Sequence, residues 1–268
     1  MTKKIKIFGA ILVVSIIVIL CGQLVRADMT PNLIIDSSNP YSLKVATPNP
    51  HDWSDGLVGY WTFNGQDIVN STTTDKSVDG NDGTIVGAVP QAGIIGQDLS
   101  FDGIDDYVSL PDLGLDEDTS FTMETWVKID RMTMRGGIMM KGTGANSYGL
   151  QRTYNTVNFA IRGPSGHFWT TSDVLIIGEW YHFIGTYAAN EEIKIYQDGR
   201  LIDTTAVGAL GGVTSGDIII GNHAYSSVIS PKDYLLGSVD EVRIYDKILS
   251  LEDVQEHYSL SRRNFIVE

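Results

Sequence analysis

The chain has almost no cysteine. Cys21 is the only one among 268 residues, so no disulfide can form within the chain. Cys21 lies in an N-terminal segment in which three lysines precede an apolar run, residues 7–21, and small residues precede a cut after Ala27. This is the order of a secretory signal. The run is shorter than the roughly 20 apolar residues of a membrane span, but adding residues 22–25 makes an uncleaved anchor the alternative.

We therefore expect residues 1–27 to be a signal peptide or membrane anchor. The rest of the chain is then extracellular or at the cell surface, with contact to the membrane only through an uncleaved N-terminal segment. An exported domain without disulfides must be held by its core or by metal ions.

Basic residues are also scarce. Lysine and arginine number 19 against 33 aspartate and glutamate residues, which gives a formal net charge of -14. Removal of residues 1–27 takes away four positive charges and no negative ones, moving the charge to -18. Such an acidic surface argues against nucleic acid and against anionic membranes as partners. It is compatible with divalent cations.

Several catalytic motifs are missing. The five histidines are scattered without a His-x-x-x-His pair for zinc. No Gly-x-Ser-x-Gly elbow is present, and the mature chain has no cysteine, so acyl transfer has no visible nucleophile. The glycine-rich stretch GTGANSYG does not end in the Lys-Ser/Thr pair that contacts a phosphate. Each histidine is expected to be structural or exposed.

Glycine and aromatic residues, by contrast, are plentiful. The chain has 28 glycines, 5 tryptophans and 12 tyrosines, a turn-rich profile typical of sandwiches and barrels. Residues 28–55 hold half of the eight prolines and are predicted to be a spacer. From Gly56 onward, short alternating segments are bounded by Gly, Asp and Asn, as in stacked antiparallel strands. About 11 to 13 strands are predicted, among them 57–63, 84–90, 120–129 and a hairpin turning at Asp198-Gly199.

A helix is predicted over residues 249–260. Ser250 is the expected N-cap, with Asp253 three residues later as a capping-box partner. Residues 261–268 are left as a tail.

Several phrases occur in an order that resembles a known family. They are GLVGYWTFNG, GNDGTIVG, GQDLSFDGIDDYVSLPD, SFTMETWVK, EWYHFIGTY, IYQDGRLID, IIIGNH and LGSVDEVRIYDKILSLEDVQEHY. Together, over residues 56–260, they resemble the laminin G-like domains of the concanavalin A-like lectin/glucanase superfamily. The resemblance implies an all-β, two-sheet antiparallel jelly-roll sandwich. It does not fix one activity, because members bind glycans, bind proteins or accompany catalytic domains, so function has to be argued from sites.

The glucanases of that superfamily raise the question of catalysis. Retaining glycosidases need two carboxylates about 5 to 5.5 Å apart, and the glucanase pattern places Glu, Asp and Glu at alternating positions. No Glu-x-Asp-x-(x)-Glu sequence occurs in this chain, and Glu124 stands alone on its predicted strand. The chain is therefore expected not to be an enzyme.

The acidic stretch LSFDGIDDYVSLPD, residues 99–112, allows two interpretations. Aspartates at 102, 105 and 106 suit tight turns, with their side chains bonded to nearby backbone amides. Alternatively, Asp102 binds calcium, which takes 6 to 8 oxygen ligands. Members of the resembling family sometimes hold calcium, and Asp240 in the closing phrase is then the second metal ligand. We expect turn chemistry first and a structural calcium ion second.

A glycan site needs exposed aromatic faces with polar groups beside them. Three predicted loop regions offer these, and the residues selected from them as ligand contacts are His167, Phe168, Trp169, Tyr148 and Tyr225. The segment HFW is the best of the three because it follows a Gly-Pro-Ser-Gly turn. The alternative is that Phe168 and Trp169 begin a strand, in which case one of them points into the core and the other outward.

These observations predict an exported, non-catalytic binding module whose partner is a glycan or a surface protein. Carbohydrate recognition or adhesion is the first hypothesis. A protein-protein interaction or structural surface protein is the alternative.

Overall fold

The computed structural model describes residues 53–116, 118–132, 135–143, 146–211, 214–222 and 234–265, together with four short strands nearer the N-terminus. The chain divides into two units, residues 1–53 and 54–268. In the first unit, β1 (Ile16–Leu20) pairs antiparallel with β2 (Gln23–Ala27), and β3 (Leu33–Ile35) with β4 (Leu43–Val45). Within the described residues, no helix has the length and apolar character needed to cross a membrane.

The second unit consists of antiparallel strands, a 3-10 turn at Gly65–Asp67 and one C-terminal helix in its described part. Its strands, in chain order, are β5 (Leu57–Trp61), β6 (Ile68–Val69), β7 (Thr72–Thr73), β8 (Gly83–Val86), β9 (Val89–Ala92), β10 (Gln97–Asp102), β11 (Tyr107–Leu110), β12 (Phe121–Ile129), β13 (Gly136–Thr143), β14 (Asn146–Thr153), β15 (Thr156–Gly163), β16 (Gly166–Thr171), β17 (Trp180–Ala188), β18 (Glu192–Gln197), β19 (Arg200–Ala206), β20 (Ile218–Ile220) and β21 (Leu236–Tyr245).

These strands form two sheets. Sheet 1 has the order β19-β18-β17-β12-β21-β10-β9, with β5 also paired to β21. Sheet 2 has the order β16-β15-β14-β13-β20-β11-β8-β7-β6. The predicted all-β, two-sheet antiparallel sandwich is confirmed.

The core lies between the two sheets. On β12 the side chains of Phe121, Met123 and Val127 are fully buried, in agreement with the face that alternation predicts. The Phe121 ring meets the Phe159 ring of sheet 2 edge-on, with centroids 6.2 Å apart. Burial between the sheets therefore replaces the disulfides that this chain cannot form.

Backbone conformation at two glycines explains one correct and one wrong strand prediction. Asp198 and Gly199 have φ values of 52° and 76°, the left-handed pair expected of a two-residue hairpin turn. The single predicted strand 84–90 is wrong, because Gly87 has a φ of 78° and interrupts it. The two halves join different sheets: β8 belongs to sheet 2 and β9 to sheet 1.

The helix α1 (Leu251–Phe265) begins where the capping motif predicts it. The Asp253 backbone N–H donates to Ser250 Oγ (3.2 Å), while the Ser250 N–H donates to Asp253 Oδ2 (2.8 Å). This reciprocal pair satisfies groups that the first helical turn leaves without partners. The helix extends to Phe265, into the segment that the sequence analysis leaves as a tail.

A buried polar network fastens α1 to the outer face of sheet 1. Glu124 is fully buried and accepts hydrogen bonds from His182 Nε2 (2.9 Å) and from His257 Nδ1 of α1 (2.7 Å). Burial opposes ionisation of Glu124, but the charge of His257, the two hydrogen bonds and Arg243 hold the pKa of its carboxyl well below the usual range. Glu124 thus has a structural role in joining the helix to the sheet.

Candidate functional site

A groove lies on the outer face of sheet 2, at the edge formed by β14, β15 and β16. The cross-strand pairs Ala160↔Trp169 and Arg162↔His167 place these four side chains on one face, because directly opposite residues point the same way. Phe168 points to the other face and packs against the core. The groove has a volume of about 520 Å³. Its lining residues are Arg135, Gln151, Thr153, Tyr154, Asn155, Thr156, Asn158, His167, Trp169 and Thr171.

Two large aromatic side chains in this groove are open to solvent. Trp169 is 53% exposed and Tyr154 is 60% exposed. The Trp169 ring lies 5.1 Å from the His167 ring, with the planes tilted by 54°. Tyr154 lies in the turn between β14 and β15, with a left-handed φ of 53°. The groove therefore offers apolar ring faces together with the polar tips that tyrosine and tryptophan carry.

Polar groups complete the lining. Amide side chains come from Gln151, Asn155 and Asn158, and basic side chains from Arg135 and His167. Asn158 Nδ2 donates to the Thr170 carbonyl (2.9 Å), which fixes the orientation of that amide. Burial, followed by the charges of Arg162 and Arg135, lowers the pKa of His167. The imidazole therefore stays neutral to lower pH than an ordinary histidine does.

Side chains of sheet 1 hold the edge strand that carries Trp169. Thr205 Oγ1 on β19 donates to the Trp169 carbonyl (2.9 Å), and the Thr171 N–H donates to Asp203 Oδ2 on the same strand (3.0 Å). These bonds use backbone groups that an edge strand otherwise leaves open. The strand that carries Trp169 is thereby held in place by hydrogen bonds to β19.

The structure places the five predicted ligand contacts in different surroundings. His167 and Trp169 line the groove, and Phe168 is half-buried with its ring toward the core. Tyr148 is fully buried, and its hydroxyl donates to the Leu115 carbonyl (2.9 Å). The structure corrects Tyr148 to a core residue, because its ring has no surface left for a ligand. Tyr225 lies outside the described residues.

The predicted loop around His167 is a strand, which confirms the alternative in which one of Phe168 and Trp169 points to the core and the other outward. His167–Trp169 belong to β16, so their neighbours in the groove are cross-strand residues of β15 and β14. Gln151 and Asn158 form one such pair. Folding the two hairpins about their turns and pairing residues across the strands, starting from Trp169, would have found both. Arg135 precedes β13, and no feature of the sequence marks it as part of the site.

Comparison with known families agrees with this architecture. A laminin G model, described as concanavalin A-like lectin/glucanases superfamily, matches residues 101–255, more than half of the chain. The chain belongs to this superfamily. None of the curated proteins compared with it is a significant match.

Solved structures of similar fold include toxin and enzyme-associated domains. The binding domain of Paraclostridial Mosquitocidal Protein 1 has a TM-score of 0.62 at 11% identity, over 76% of this chain and 52% of that one. A structure of botulinum neurotoxin type C, whose cell entry depends upon interaction with two ganglioside molecules, has a TM-score of 0.61 at 17% identity, over 78% and 52%.

A third structure is domain 4 of AbnA, a GH43 extracellular arabinanase from Geobacillus stearothermophilus, solved in complex with arabinotriose. It has a TM-score of 0.58 at 20% identity, over 75% of this chain and 97% of that one. The concanavalin A-like chain thus spans about half the length of the two toxin chains and nearly all of the arabinanase domain. At these identities the likeness shows the fold alone.

Glycosidases of a concanavalin A-like fold would need acidic residues in the groove. None of the ten described lining residues is an aspartate or a glutamate, whereas retaining hydrolysis uses two carboxylates about 5 to 5.5 Å apart. Glu124 lies on the outer face of the other sheet, and its carboxylate is hydrogen-bonded to two histidines. The described lining of the groove therefore lacks the carboxylate pair of a retaining glycosidase.

A smaller cavity of about 280 Å³ lies on the outer face of sheet 1, beside α1. Its lining includes Trp126, Trp180 and Tyr258, and its carboxylates are Glu179 and Asp198. Asp198 Oδ1 accepts the His182 backbone N–H (3.0 Å). This carboxylate therefore stabilises the β18–β19 hairpin turn.

The two predicted calcium ligands do not share a site. Asp102 pairs with Leu236 across β10 and β21, and Asp240 lies four residues further along β21, roughly 13 Å at strand spacing. Asp102 Oδ1 accepts the Ile104 N–H (2.8 Å), and Asp106 Oδ2 accepts the Asp102 N–H (2.8 Å). These bonds are the expected turn chemistry. The separation of about 13 Å shows that Asp102 and Asp240 cannot bind the same calcium ion. Calcium binding at the acidic turn itself stays a prediction.

Asp240 instead faces another buried aspartate. The pairing Leu99↔Val239 puts Asp98 opposite Asp240 one step further along the two strands. Both are fully buried, and Oδ1 of each has no hydrogen-bond partner among the described residues. Asp240 Oδ2 accepts the N–H groups of Ile94 (3.1 Å) and Ile95 (3.0 Å). Burial raises the pKa of Asp240 to about 8 and that of Asp98 to about 6.

Proposed function

We propose that this chain is an exported, non-catalytic carbohydrate-binding module that uses the groove of sheet 2. One observation carries the proposal. Trp169 and Tyr154 present exposed aromatic faces in one groove, beside amide groups that can bond to hydroxyls. Sugar rings bind through their C–H faces to such aromatic side chains and through hydroxyls to polar neighbours.

Further support comes from the fold and from the N-terminal segment. The arabinanase domain of similar fold was solved with a bound trisaccharide, and the groove here has no carboxylate in its described lining. Basic, apolar and small residues follow one another at the start of the chain, as in export signals. A module displayed outside the cell meets polysaccharides and surface glycans.

The test is binding of the full chain to an array of glycans and polysaccharides, in calcium and again in chelator. We expect specific binding, and we expect Trp169→Ala to weaken it about fivefold or more, because stacking on an aromatic ring contributes about 1 kcal/mol. Trp180→Ala is the matched control, since Trp180 lies in the smaller cavity on the opposite sheet. Binding that both variants retain in full would contradict the proposed site.

A protein partner is the second candidate. Val174, Ile176 and Ile177, just after β16, are 66%, 66% and 53% exposed. An exposed apolar segment of this kind suits a protein interface. An array without binding in either condition, combined with weaker capture of a surface protein by Ile176→Ser, would favour this alternative.

A further inference from the structure

The charge of the groove is opposite in sign to that of the whole chain. Acidic residues outnumber basic ones by 33 to 19, yet the ionisable side chains among the ten lining residues are Arg135, His167 and Tyr154, and none is an aspartate or glutamate. Arg135 is exposed. An acidic protein thus presents its aromatic groove with a local positive charge.

A second guanidinium adds to this charge. Arg162 lies directly opposite His167 across β15 and β16, so its side chain stands on the groove face. The charges of both Arg162 and Arg135 act at the His167 ring, where after burial they are the causes of its lowered pKa. The two arginines therefore add positive charge beside His167, in a groove that Trp169 also lines.

From this arrangement we propose that the groove binds an acidic glycan, with Arg135 contacting a sugar carboxylate while Trp169 stacks on a sugar ring. This inference rests on the proposed function and names its substrate class. Arginine presents a planar fork that matches a carboxylate with two hydrogen bonds. A neutral sugar offers this guanidinium only hydroxyl oxygens, whereas a uronate or sialate gains a contact between opposite charges.

A glycan fits this groove better than an acidic peptide does. The exposed rings of Tyr154 and Trp169 face an open groove whose lining includes the amides of Gln151 and Asn155. Amides donate to and accept from hydroxyls, which saccharides carry on every residue. The acidic surface elsewhere acts weakly on such a ligand, because charges are screened beyond about 8 Å at physiological ionic strength.

The experiment measures dissociation constants by calorimetry for the full chain and matched ligand pairs. The carboxylated members are oligogalacturonate and sialyllactose, and their neutral partners are methyl-esterified oligogalacturonate and lactose. Chondroitin sulfate with unsulfated chondroitin separates sulfate from carboxylate recognition. We expect at least one carboxylated ligand to bind about tenfold or more tightly than its neutral partner, as for hydrogen bonds to charged groups. That preference should fall as salt is raised.

The variants assign the preference to residues. Arg135→Gln should weaken the carboxylated ligand far more than its neutral partner and so remove most of the preference, while Arg135→Lys should retain part of it. Trp169→Ala should weaken both ligands. Arg262→Gln, which removes the same charge from the exposed side of α1 on the opposite sheet, should change neither. Melting temperatures of all variants show that they are folded.

Each outcome separates this inference from the proposed function. Equal affinity for charged and neutral partners, or a preference for sulfate alone, would overturn the carboxylate assignment while the carbohydrate-binding role stands. Unchanged selectivity in Arg135→Gln and in an Arg135→Gln/Arg162→Gln double variant would overturn it as well. The absence of binding to any glycan would overturn both proposals.

Discussion

Asp240 shows how a single buried carboxylate sets the pH response of this fold. Its carboxyl is fully buried, and burial, with the nearby charges of Glu241 and Asp98, raises its pKa to about 8. The folded state then holds a proton more tightly than the unfolded chain, in which an aspartate has a pKa of about 3.9. The stability from this group is complete below the unfolded value and is lost as the pH rises through the folded value. Asp98 acts in the same direction over a narrower range, up to its pKa of about 6.

We therefore predict that the free energy of unfolding falls between about pH 4 and pH 8, with Asp240 contributing at most about 1.4 kcal/mol per pH unit. In Asp240→Asn the amide oxygen can still accept the Ile94 and Ile95 N–H groups, and position 240 no longer ionises. The variant should lose much of this pH dependence and be at least as stable as the natural chain at pH 8. Urea unfolding at pH 5 and pH 8 measures both.

The exposed Asp79→Asn is the control, since Asp79 is a solvent-facing aspartate in a turn. Equal destabilisation of Asp240→Asn at both pH values would contradict the prediction. A free energy of unfolding that rises with pH only when calcium is present would instead indicate a cation between Asp98 and Asp240.

At the scale of the element, the sequence predicts strands and turns well where a local rule decides them. The Asp198-Gly199 turn and the Ser250 cap are confirmed because each depends on residues a few positions apart. The strand β16 is harder to predict, since HFWTT follows a Gly-Pro-Ser-Gly turn and its local sequence also suits a loop. Its pairing with β15 and its hydrogen bond to Asp203 of β19 depend on the tertiary structure. Trp169 could be predicted because it belongs to a local aromatic segment. Arg135 could not, because only the pairing of distant strands brings it to the groove.

The cap of α1 gives a prediction at this scale. Ser250→Ala removes the acceptor for the Asp253 N–H and should lower the free energy of unfolding by about 1 kcal/mol. Ser259→Ala lies in the interior of the same helix, where its hydroxyl bonds to the Gln255 carbonyl and alanine is the better helix former. That control should be neutral or slightly stabilising. Guanidinium unfolding of the two variants compares them directly, and equal effects would contradict a capping role.

At the scale of the whole molecule, the core and the groove share one strand. β15 sends Phe159 into the core against sheet 1, while its neighbours Asn158 and Ala160 face the groove. Gly185 of sheet 1 makes room for the Phe159 ring, because a Cβ there would lie 2.2 Å from Phe159 Cδ2 and 2.4 Å from Cγ. The spacing of the two sheets therefore sets the position of the groove floor, which alternation along one strand cannot reveal.

Gly185→Ala should consequently destabilise the protein by about 1–3 kcal/mol, as overpacking in a filled core does. It should also weaken glycan binding, because a shift of Phe159 moves the residues on either side of it. Gly208→Ala is the matched control: a Cβ at Gly208 meets no atom within 4 Å, so stability and binding should be unchanged or slightly improved. Chemical unfolding and calorimetry on both variants test the link. If Gly185→Ala lost stability but bound glycan as the natural chain does, the core and the groove would be mechanically separate, and the affinity would depend on the edge strand β16 and its contacts with β19 alone.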